Sequence, residues 1–274
     1  MQPQTVDGKK IAAEIIENLK KLPKPDGFIA VFLNIRDAAA ESFVKQKMRT
    51  ANELGLEVRQ YEVFDADTND SLRKRVRIVA QGKRCGGVVL QLPLPSACDV
   101  SYVANTIPPA KDIDCLGARN LGALLQHKGN ILPPAARTLH HILKSKNKNI
   151  QDFDSIAIIG QGILVGKPIS AWLLGNHPNI HAYDKGFIKE EVKKNNLVIL
   201  GTGQAGILNG ADIKAGAWVI DFGYGFLNEK ITGDFDSTTG SIDHVGLYTP
   251  TPGGTGPILV ASLFENLYAQ SIDN

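Results

Sequence analysis

The chain has 274 residues and a mass of 29.6 kDa, enough for one large domain or two ordinary ones. Hydrophobic residues make up 43% and charged residues 21%, which predicts a folded core and excludes a disordered chain. The 30 Lys and Arg against 28 Asp and Glu leave a net charge of +2, so we expect neither nucleic acid nor a membrane as partner. No apolar run is long enough to cross a bilayer, and the N-terminus lacks a signal-peptide pattern. The three cysteines, Cys85, Cys98 and Cys115, are too few for a disulfide framework or a zinc site. We therefore expect a cytoplasmic protein that binds a small molecule.

Helix and strand patterns alternate through the first half of the chain. Asp7 is a good N-cap for a helix whose residues Ile11, Ile15, Leu19 and Leu22 recur at helical spacing. The elements predicted next are a buried strand at 28–33, a helix from about 38 to 54, a strand at 58–64, a helix at 70–81 and a buried strand at 87–92. This β-α-β-α-β order predicts a parallel sheet with helical crossovers.

The same alternation restarts after Pro133 and Pro134. The predicted elements are a helix at about 136–146, a strand at 155–159, a helix ending near 174, a strand at 180–183, a short charged helix, and buried strands at 197–200 and 217–221. A last helix at 258–269 follows a loop rich in Gly and Pro and could dock on either half. We therefore predict a two-lobed α/β protein with its boundary near Pro134.

A glycine-rich segment lies between the predicted strand at 155–159 and the next helix. Gly160, Gly162 and Gly166 have the spacing G-x-G-x-x-x-G, one residue longer than the Rossmann fingerprint. Glycines there let the backbone approach a pyrophosphate at a helix N-terminus, although any tight strand-to-helix turn also favours glycine. Asp184 stands where a ribose-binding carboxylate is expected, and Lys185 beside it suits a 2′-phosphate. A solvated turn explains both equally well, so the residues alone leave NAD and NADP open.

Other segments carry polar or aromatic side chains in suggestive positions. Asp112 and Asp114 would share one face of an extended stretch, either as a metal-binding pair or as a solvated acidic turn. Phe43 and Lys47 lie one helical turn apart, which fits a core aromatic under a surface lysine as well as an aromatic platform beside an amine. The loop 249–257 combines rigid prolines with glycines, which favours a ligand-lining role over a plain connection. Cys115 is a candidate nucleophile, but a small half-buried residue is the simpler reading.

Five segments in order make the whole chain resemble the bifunctional methylenetetrahydrofolate dehydrogenase/methenyltetrahydrofolate cyclohydrolase family. They are Gln91-Leu92-Pro93-Leu94-Pro95, Lys111-Asp112-Ile113-Asp114, the stretch 160–168 ending in Val-Gly-Lys-Pro, Val219-Ile220-Asp221-Phe222-Gly223, and the loop 249–257. The resemblance implies an N-terminal α/β folate-binding lobe at 1–134, completed by a C-terminal helix at 257–274, and a Rossmann-type NAD(P)-binding lobe at 135–256. It also implies an active site in the cleft, a homodimer, and a supply of one-carbon units for purine, methionine and histidine biosynthesis.

The family's functional residues fall on definite positions of this chain. The resemblance implies as catalytic residues Lys47, Gln91 and Asp114; as substrate-binding residues Phe43, Leu92, Pro252, Gly253 and Gly254; and as cofactor-binding residues Gly160, Gln161, Gly162, Asp184, Lys185 and Tyr224. It implies NADP as cofactor, with NAD as the alternative, tetrahydrofolate derivatives as substrates and no metal. A partly desolvated lysine beside a cationic substrate should have a lowered pKa, which suits it to proton transfer.

Several positions depart from the family's usual residues. Phe43 stands where the family usually has tyrosine, and Ile35 and Cys115 each stand where it has glycine. Ala135 replaces a threonine, Gly162 a serine and Asp184 a histidine. These departures motivate one alternative, a divergent paralogue that binds folate or nucleotide with weak activity or only one activity. A second alternative, a Rossmann dehydrogenase acting on an amino or hydroxy acid, explains the glycine loop but leaves the Gln-Leu-Pro-Leu-Pro and Pro-Gly-Gly segments without a purpose.

Overall fold

The computed structural model describes residues 2–34, 38–227 and 230–272, so the position of Ile35 lies outside the described residues. The chain divides into two compact units. Residues 14–134 and 260–274 form what we call the N-terminal unit, and residues 1–13 and 135–259 form the central unit. Residues 1–13, which the sequence alone groups with the first lobe, belong to the central unit because the strand at Gln4–Thr5 pairs with Leu247–Tyr248.

The elements follow the predicted alternation closely. The helices are α1 (Gly8–Leu19), α2 (Ala38–Glu53), α3 (Asn69–Gln81), α4 (Val100–Ala104), α5 (Ala118–Leu125), α6 (Pro134–Ser145), α7 (Gly166–Leu173), α8 (Lys189–Val192) and α9 (Thr255–Ile272). The strands are β1 (Gln4–Thr5), β2 (Phe28–Leu33), β3 (Glu57–Glu62), β4 (Cys85–Leu90), β5 (Ile156–Ile159), β6 (Ile180–Tyr183), β7 (Leu197–Leu200), β8 (Leu208–Asn209), β9 (Trp218–Asp221), β10 (Gly225–Leu227), β11 (Lys230–Thr232), β12 (Phe235–Asp236) and β13 (Leu247–Tyr248). Among the described residues, no helix is both long enough and apolar enough to span a membrane.

The N-terminal unit is built on a parallel sheet in which β2 lies between β3 and β4. Every residue of β2 is buried, as expected for a central parallel strand covered on both faces. The later part of α9 belongs to this unit, where the buried Asn266 donates to the carbonyl oxygens of Ile113 (2.9 Å) and Leu132 (2.7 Å). The C-terminal helix therefore returns to the N-terminal unit, as the family resemblance implies.

The central unit contains a parallel sheet in the order β1-β13-β9-β7-β5-β6. Strands β5, β7 and β9 are short, almost wholly apolar runs and supply a large part of its buried core. Both halves of the chain are thus parallel α/β structures, which confirms the predicted fold class. In such sheets, ligands bind outside the carboxyl ends of the strands, and the strand order reverses here at β5.

Candidate active site

A lysine and a glutamine meet in the N-terminal unit. Lys47 lies on α2, and Gln91 directly follows β4, at the carboxyl end of the sheet. The half-buried Lys47 donates from Nζ to Oε1 of the buried Gln91 at 3.0 Å. The amide of Gln91 is itself fixed, because its Nε2 donates to the Leu92 carbonyl at 3.1 Å. The pair therefore presents one amine in a defined position.

The electrostatic environment of this amine favours its neutral form. Burial lowers the pKa of the Lys47 ammonium group, while the carboxylate of Asp114 opposes part of that shift. Burial also raises the pKa of Asp114, and Lys47 again acts in the opposite direction. Lys47 thus interacts with Gln91 through a hydrogen bond and with Asp114 through its charge. The lowered pKa of Lys47 agrees with the expectation from the sequence. An amine with a lowered pKa is neutral over a wider pH range than an exposed lysine, which suits it to accept and return a proton.

Asp112 has a different environment from Asp114. It is 2% exposed and pairs with Val88 of β4 through an isolated parallel bridge. Its Oδ1 accepts from the Leu116 amide at 3.1 Å, and its Oδ2 accepts from the Gly117 amide at 2.8 Å. Asp112 therefore fixes the turn before α5, rather than lying in a solvated acidic turn. No group of three or more His, Cys, Asp or Glu among the described residues is arranged to hold a metal ion.

Two further candidates accompany this group. Phe43 is half-buried and lies one helical turn before Lys47, so both side chains project from the same side of α2. Leu92, also half-buried, follows Gln91 and precedes a cis peptide bond to Pro93. The N-terminal unit thus supplies an aromatic ring and an apolar side chain adjacent in sequence to the polar group.

The central unit contains a cavity of about 420 Å³ at the carboxyl ends of β5, β6 and β7. Its lining residues are Ile159, Gly160, Gln161, Gly162, Asp184, Lys185, Gly186, Phe187, Gly201, Thr202, Gln204 and Ile207. Five of the six predicted cofactor-binding residues are among them. Tyr224, the sixth, lies beyond the end of β9 and is not one of the described residues that line this cavity.

The glycine turn from β5 to α7 is packed too tightly for side chains at two positions. Gly160 has φ +88°, and a Cβ there would lie 2.6 Å from the Gly201 carbonyl oxygen. A Cβ at Gly166 would lie 1.8 Å from the carbonyl oxygen of Gly160. At Gly162, by contrast, a Cβ would have no protein atom within 4 Å. Gly160 and Gly166 are therefore required by the turn itself, whereas Gly162 leaves open space on the cavity side for a phosphate group.

The polar residues of the cavity differ in what their side chains do. The side chain of Gln161 binds the protein: its Nε2 donates to the Ile158 carbonyl at 3.2 Å, and its Oε1 accepts from Ser170 at 3.2 Å. Asp184 and Lys185 follow β6 and are exposed. Asp184 and Lys185 are therefore the charged side chains of this rim with access to a ribose or its phosphate.

Two further loops of the central unit lie near its strand ends, one predicted to bind substrate and one not predicted. Pro252, Gly253 and Gly254 follow β13, and the Gly253 carbonyl accepts from the Gly8 amide at 3.0 Å, which ties the loop to the start of α1. The second loop, Gly201 to Gln204, forms one wall of the cavity and was not predicted from the sequence. Its signal in the sequence is Gly201-Thr202-Gly203 directly after a buried strand, at the position where glycine loops of α/β proteins bind ligands.

These features define a parallel α/β protein with a dinucleotide-type cavity in one unit and a lysine-centred polar site in the other. Two family models match the chain: the catalytic domain of tetrahydrofolate dehydrogenase/cyclohydrolase at residues 6–114, and its NAD(P)-binding domain at residues 133–273. The chain belongs to the tetrahydrofolate dehydrogenase/cyclohydrolase family.

Individual relatives cover nearly the whole chain. The bifunctional protein FolD of Agathobacter rectalis is 30% identical over 273 residues, which are 95% of this chain and 96% of the relative. The solved structure of FolD from Campylobacter jejuni is 26% identical with a TM-score of 0.89, covering 98% of this chain and 99% of that one. FolD of Trypanosoma brucei, solved with NADP and an inhibitor, shares the fold at 23% identity and a TM-score of 0.89, covering 100% and 98%.

These matches confirm the predicted family and the predicted class of enzyme, a dehydrogenase/cyclohydrolase with an NAD(P)-binding domain. A divergent paralogue without full activity is not favoured, because the match extends over both domains and the Lys47–Gln91 pair is intact. The reading as an amino- or hydroxy-acid dehydrogenase is wrong, because the N-terminal half matches a folate-enzyme catalytic domain.

Proposed function

We propose that the chain oxidises 5,10-methylenetetrahydrofolate to 5,10-methenyltetrahydrofolate with NADP, and hydrolyses that product to 10-formyltetrahydrofolate. The observation that carries this proposal is the 3.0 Å hydrogen bond that holds the partly buried amine of Lys47 on Gln91. Family membership supplies the substrate class. The N-terminal unit, with the end of α9, would bind the folate, and the central unit would bind the dinucleotide.

The oxidation makes few chemical demands on side chains. The two nitrogens that flank the one-carbon bridge stabilise the positive charge that hydride loss leaves behind, so the step requires alignment more than an acid or a base. NADP, when bound, supplies the hydride acceptor. The residues proposed to hold it are Gly160, Gln161, Gly162, Asp184, Lys185 and Tyr224, with Gln161 contributing its backbone because its side-chain amide is engaged within the protein.

The hydrolysis requires proton movement, for which Lys47 is suited. Water adds to the cationic methenyl carbon while the neutral amine of Lys47 takes a proton from it. In the resulting carbinolamine, the bond from carbon to N5 breaks as N5 receives a proton from the ammonium of Lys47. The hydroxyl proton leaves to solvent as the formyl carbonyl forms on N10. One proton is released overall, and Lys47 returns to its neutral state.

The remaining predicted residues would position the folate. Asp114 would accept from the amino and ring N–H groups of the pterin, and Phe43 would stack on the substrate. Leu92 would supply an apolar contact, and the family resemblance implies substrate binding at Pro252, Gly253 and Gly254. The loss of the usual tyrosine hydroxyl at Phe43 leaves this stacking face intact.

NADP is the preferred cofactor because the ammonium of Lys185 at the cavity rim suits a 2′-phosphate, and the related T. brucei enzyme has been solved with NADP. Asp184 beside it suits the free 2′-hydroxyl of NAD. The family also implies a homodimer located in the cytoplasm, with its products used in purine, methionine and histidine biosynthesis. Sedimentation equilibrium of the purified protein tests the dimer.

The test of the function is the substitution Lys47→Met, which keeps the length of the side chain and removes its amine. Purified wild-type protein should reduce NADP on addition of methylenetetrahydrofolate, at a higher initial rate than it reduces NAD. Lys47→Met should lose at least about 100-fold in methenyl hydrolysis, the scale of general acid–base catalysis, with its circular dichroism unchanged. Lys45→Met, on the same helix, is the matched control and should keep full hydrolysis. Unchanged hydrolysis in Lys47→Met would exclude the proposed role of the amine.

A further inference from the structure

A buried carboxylate organises the wall of the dinucleotide-type cavity. Asp234 lies between β11 and β12 and is 0% exposed. Its Oδ2 accepts hydrogen bonds from the Thr202 amide at 2.6 Å, the Thr202 hydroxyl at 2.8 Å and the Gly203 amide at 3.3 Å. The Thr202 hydroxyl in turn accepts from the Gln204 amide at 3.1 Å. One side chain thus fixes the loop that follows β7, and Thr202 and Gln204 of that loop line the cavity.

The surroundings of Asp234 are unfavourable for a carboxylate with only a packing role. Its second oxygen, Oδ1, is buried and has no hydrogen-bond partner among the described residues. A second buried carboxylate, Asp221 at the end of β9, accepts from the Gly223 amide at 2.7 Å and the Phe235 amide at 2.9 Å. The negative charge of Asp234 helps to raise the pKa of Asp221, after the larger effect of burial. The ionised form of Asp234 is opposed by burial, which raises its pKa, and favoured by the hydrogen bonds from the Thr202 loop. An uncharged residue would avoid these costs, so an acidic residue at position 234 needs a compensating reason.

We propose that Asp234 is a positioning residue for the dinucleotide, which acts by holding the backbone of Thr202 and Gly203 in the form that the cofactor binds. This inference rests on the proposed function in taking the cavity as the NADP site. Asp234 does not line the cavity itself, so it acts through the loop. Its three accepted hydrogen bonds converge on one oxygen, and an ionised acceptor makes each of them stronger than a neutral one would.

The test is Asp234→Asn, which keeps the shape of the side chain and removes its charge. We expect the dissociation constant for NADP, measured by calorimetric titration, to rise about tenfold or more, as for the loss of a charge-assisted hydrogen bond. The KM for NADP should rise in parallel with little change in kcat. Hydrolysis of added methenyltetrahydrofolate needs no dinucleotide and should stay within about twofold of wild type. This separation distinguishes positioning of the cofactor from a general loss of folding.

Two further variants complete the experiment. Asp236→Asn alters a buried carboxylate two residues away that accepts from Thr238 and not from the cavity loop, so it should leave NADP affinity unchanged. Thr202→Val removes the hydroxyl through which Asp234 acts in part, and should weaken NADP binding less than Asp234→Asn does. Because both changes affect one network, the double variant should lose less affinity than the two single losses combined. If Asp234→Asn fails to fold, Asp234→Ser, which removes the charge with a smaller side chain, takes its place in the same two measurements.

Unchanged NADP affinity in Asp234→Asn would overturn the proposal, and so would hydrolysis that falls in step with NADP binding. Thr202→Val keeps both backbone hydrogen bonds to Asp234, so unchanged affinity in that variant would contradict the part assigned to the Thr202 hydroxyl. A wild-type protein that binds NADP but lacks both activities would instead contradict the proposed function and leave this test intact.

Discussion

Replacing Gln91 with glutamate tests whether Lys47 works as a neutral amine. The substitution exchanges the amide oxygen that accepts from Lys47 at 3.0 Å for a carboxylate oxygen in the same place. Two unit charges at that separation attract by about 5.5 kcal/mol at an effective dielectric constant of about 20. That attraction favours the ammonium form of Lys47 and should therefore raise its pKa.

The expected net shift is smaller, because the new carboxylate must itself be desolvated. If desolvation removes about half of the attraction, the remaining ~2.8 kcal/mol lowers the ratio of neutral to charged Lys47 by about 100-fold. Methenyl hydrolysis at pH 7 should fall by up to that factor, and its pH profile should shift to higher pH. The oxidation needs alignment rather than a base, so it should fall much less.

Gln91→Met separates charge from position. It removes the hydrogen bond to Lys47 without adding a carboxylate, so it should reduce hydrolysis by about tenfold while leaving the pH profile in place. Both variants are assayed by the disappearance of the methenyl chromophore from pH 6 to 9, after subtraction of the uncatalysed rate. A profile for Gln91→Glu that superimposes on that of the wild type would refute the reasoning, because it would mean that the ionisation of Lys47 does not govern the step.

Two further predictions concern the central unit. Gly166→Ala places a Cβ 1.8 Å from the Gly160 carbonyl oxygen, so it should lower the free energy of unfolding by about 1–3 kcal/mol and weaken NADP binding. Gly162→Ala has no protein atom within 4 Å of its Cβ and should leave thermal stability unchanged. Equal melting temperatures for the two variants would contradict this prediction. Burial raises the pKa of Asp221 from 3.8 to about 7, so between these values the folded state holds a proton that the unfolded state has released. The proton on Asp221 therefore stabilises the folded state at low pH, and this stabilisation is lost as the pH rises from about 4 to 7. The stability of wild type relative to Asp221→Asn, from urea unfolding, should therefore be greater at pH 5 than at pH 8, and the opposite trend would exclude a raised pKa.

The main strands could be predicted from the sequence because their signals are local. Phe28–Leu33 and Leu197–Leu200 have the predicted bounds because each is a short apolar run ending at polar or turn residues. Ile180–Tyr183 also has the predicted bounds, although it contains His181 and is not buried. By contrast, β1 and β13 are two residues long and have no pattern of their own. They exist because Gln4 and Leu247 become partners across the chain, and that pairing also brings the N-terminus into the central unit.

The site residues likewise differ in whether the sequence near them contains a recognisable signal. Gln91 lies in a recognisable motif, whereas the spacing of Phe43 and Lys47 alone favours no catalytic role, and only the family resemblance places Lys47 beside Gln91. The Thr202 loop has only the short Gly201-Thr202-Gly203 signal, because the side chain that accepts its hydrogen bonds, Asp234, lies 32 residues further along the chain. For Gln161 the structure adds a detail that the motif does not contain: its side-chain amide makes hydrogen bonds with Ile158 and Ser170, so the proposed contact with the cofactor uses its backbone.

The two aspartates of the Lys-Asp-x-Asp segment show how one short motif serves both structure and chemistry. Asp112 and Asp114 are both partly or fully buried, and burial raises the pKa of each, that of Asp112 to about 6. Asp112 accepts from the amides of Leu116 and Gly117, which fixes the turn in which Cys115 has φ +56°. A non-glycine residue in that conformation is unfavourable on its own, so the turn requires the acceptors that Asp112 provides. Asp114, two residues after Asp112 in the same segment, lies close enough to Lys47 for its charge to act on the proposed catalytic amine. One short segment thus supplies a carboxylate that fixes a turn and a second carboxylate that acts on the site.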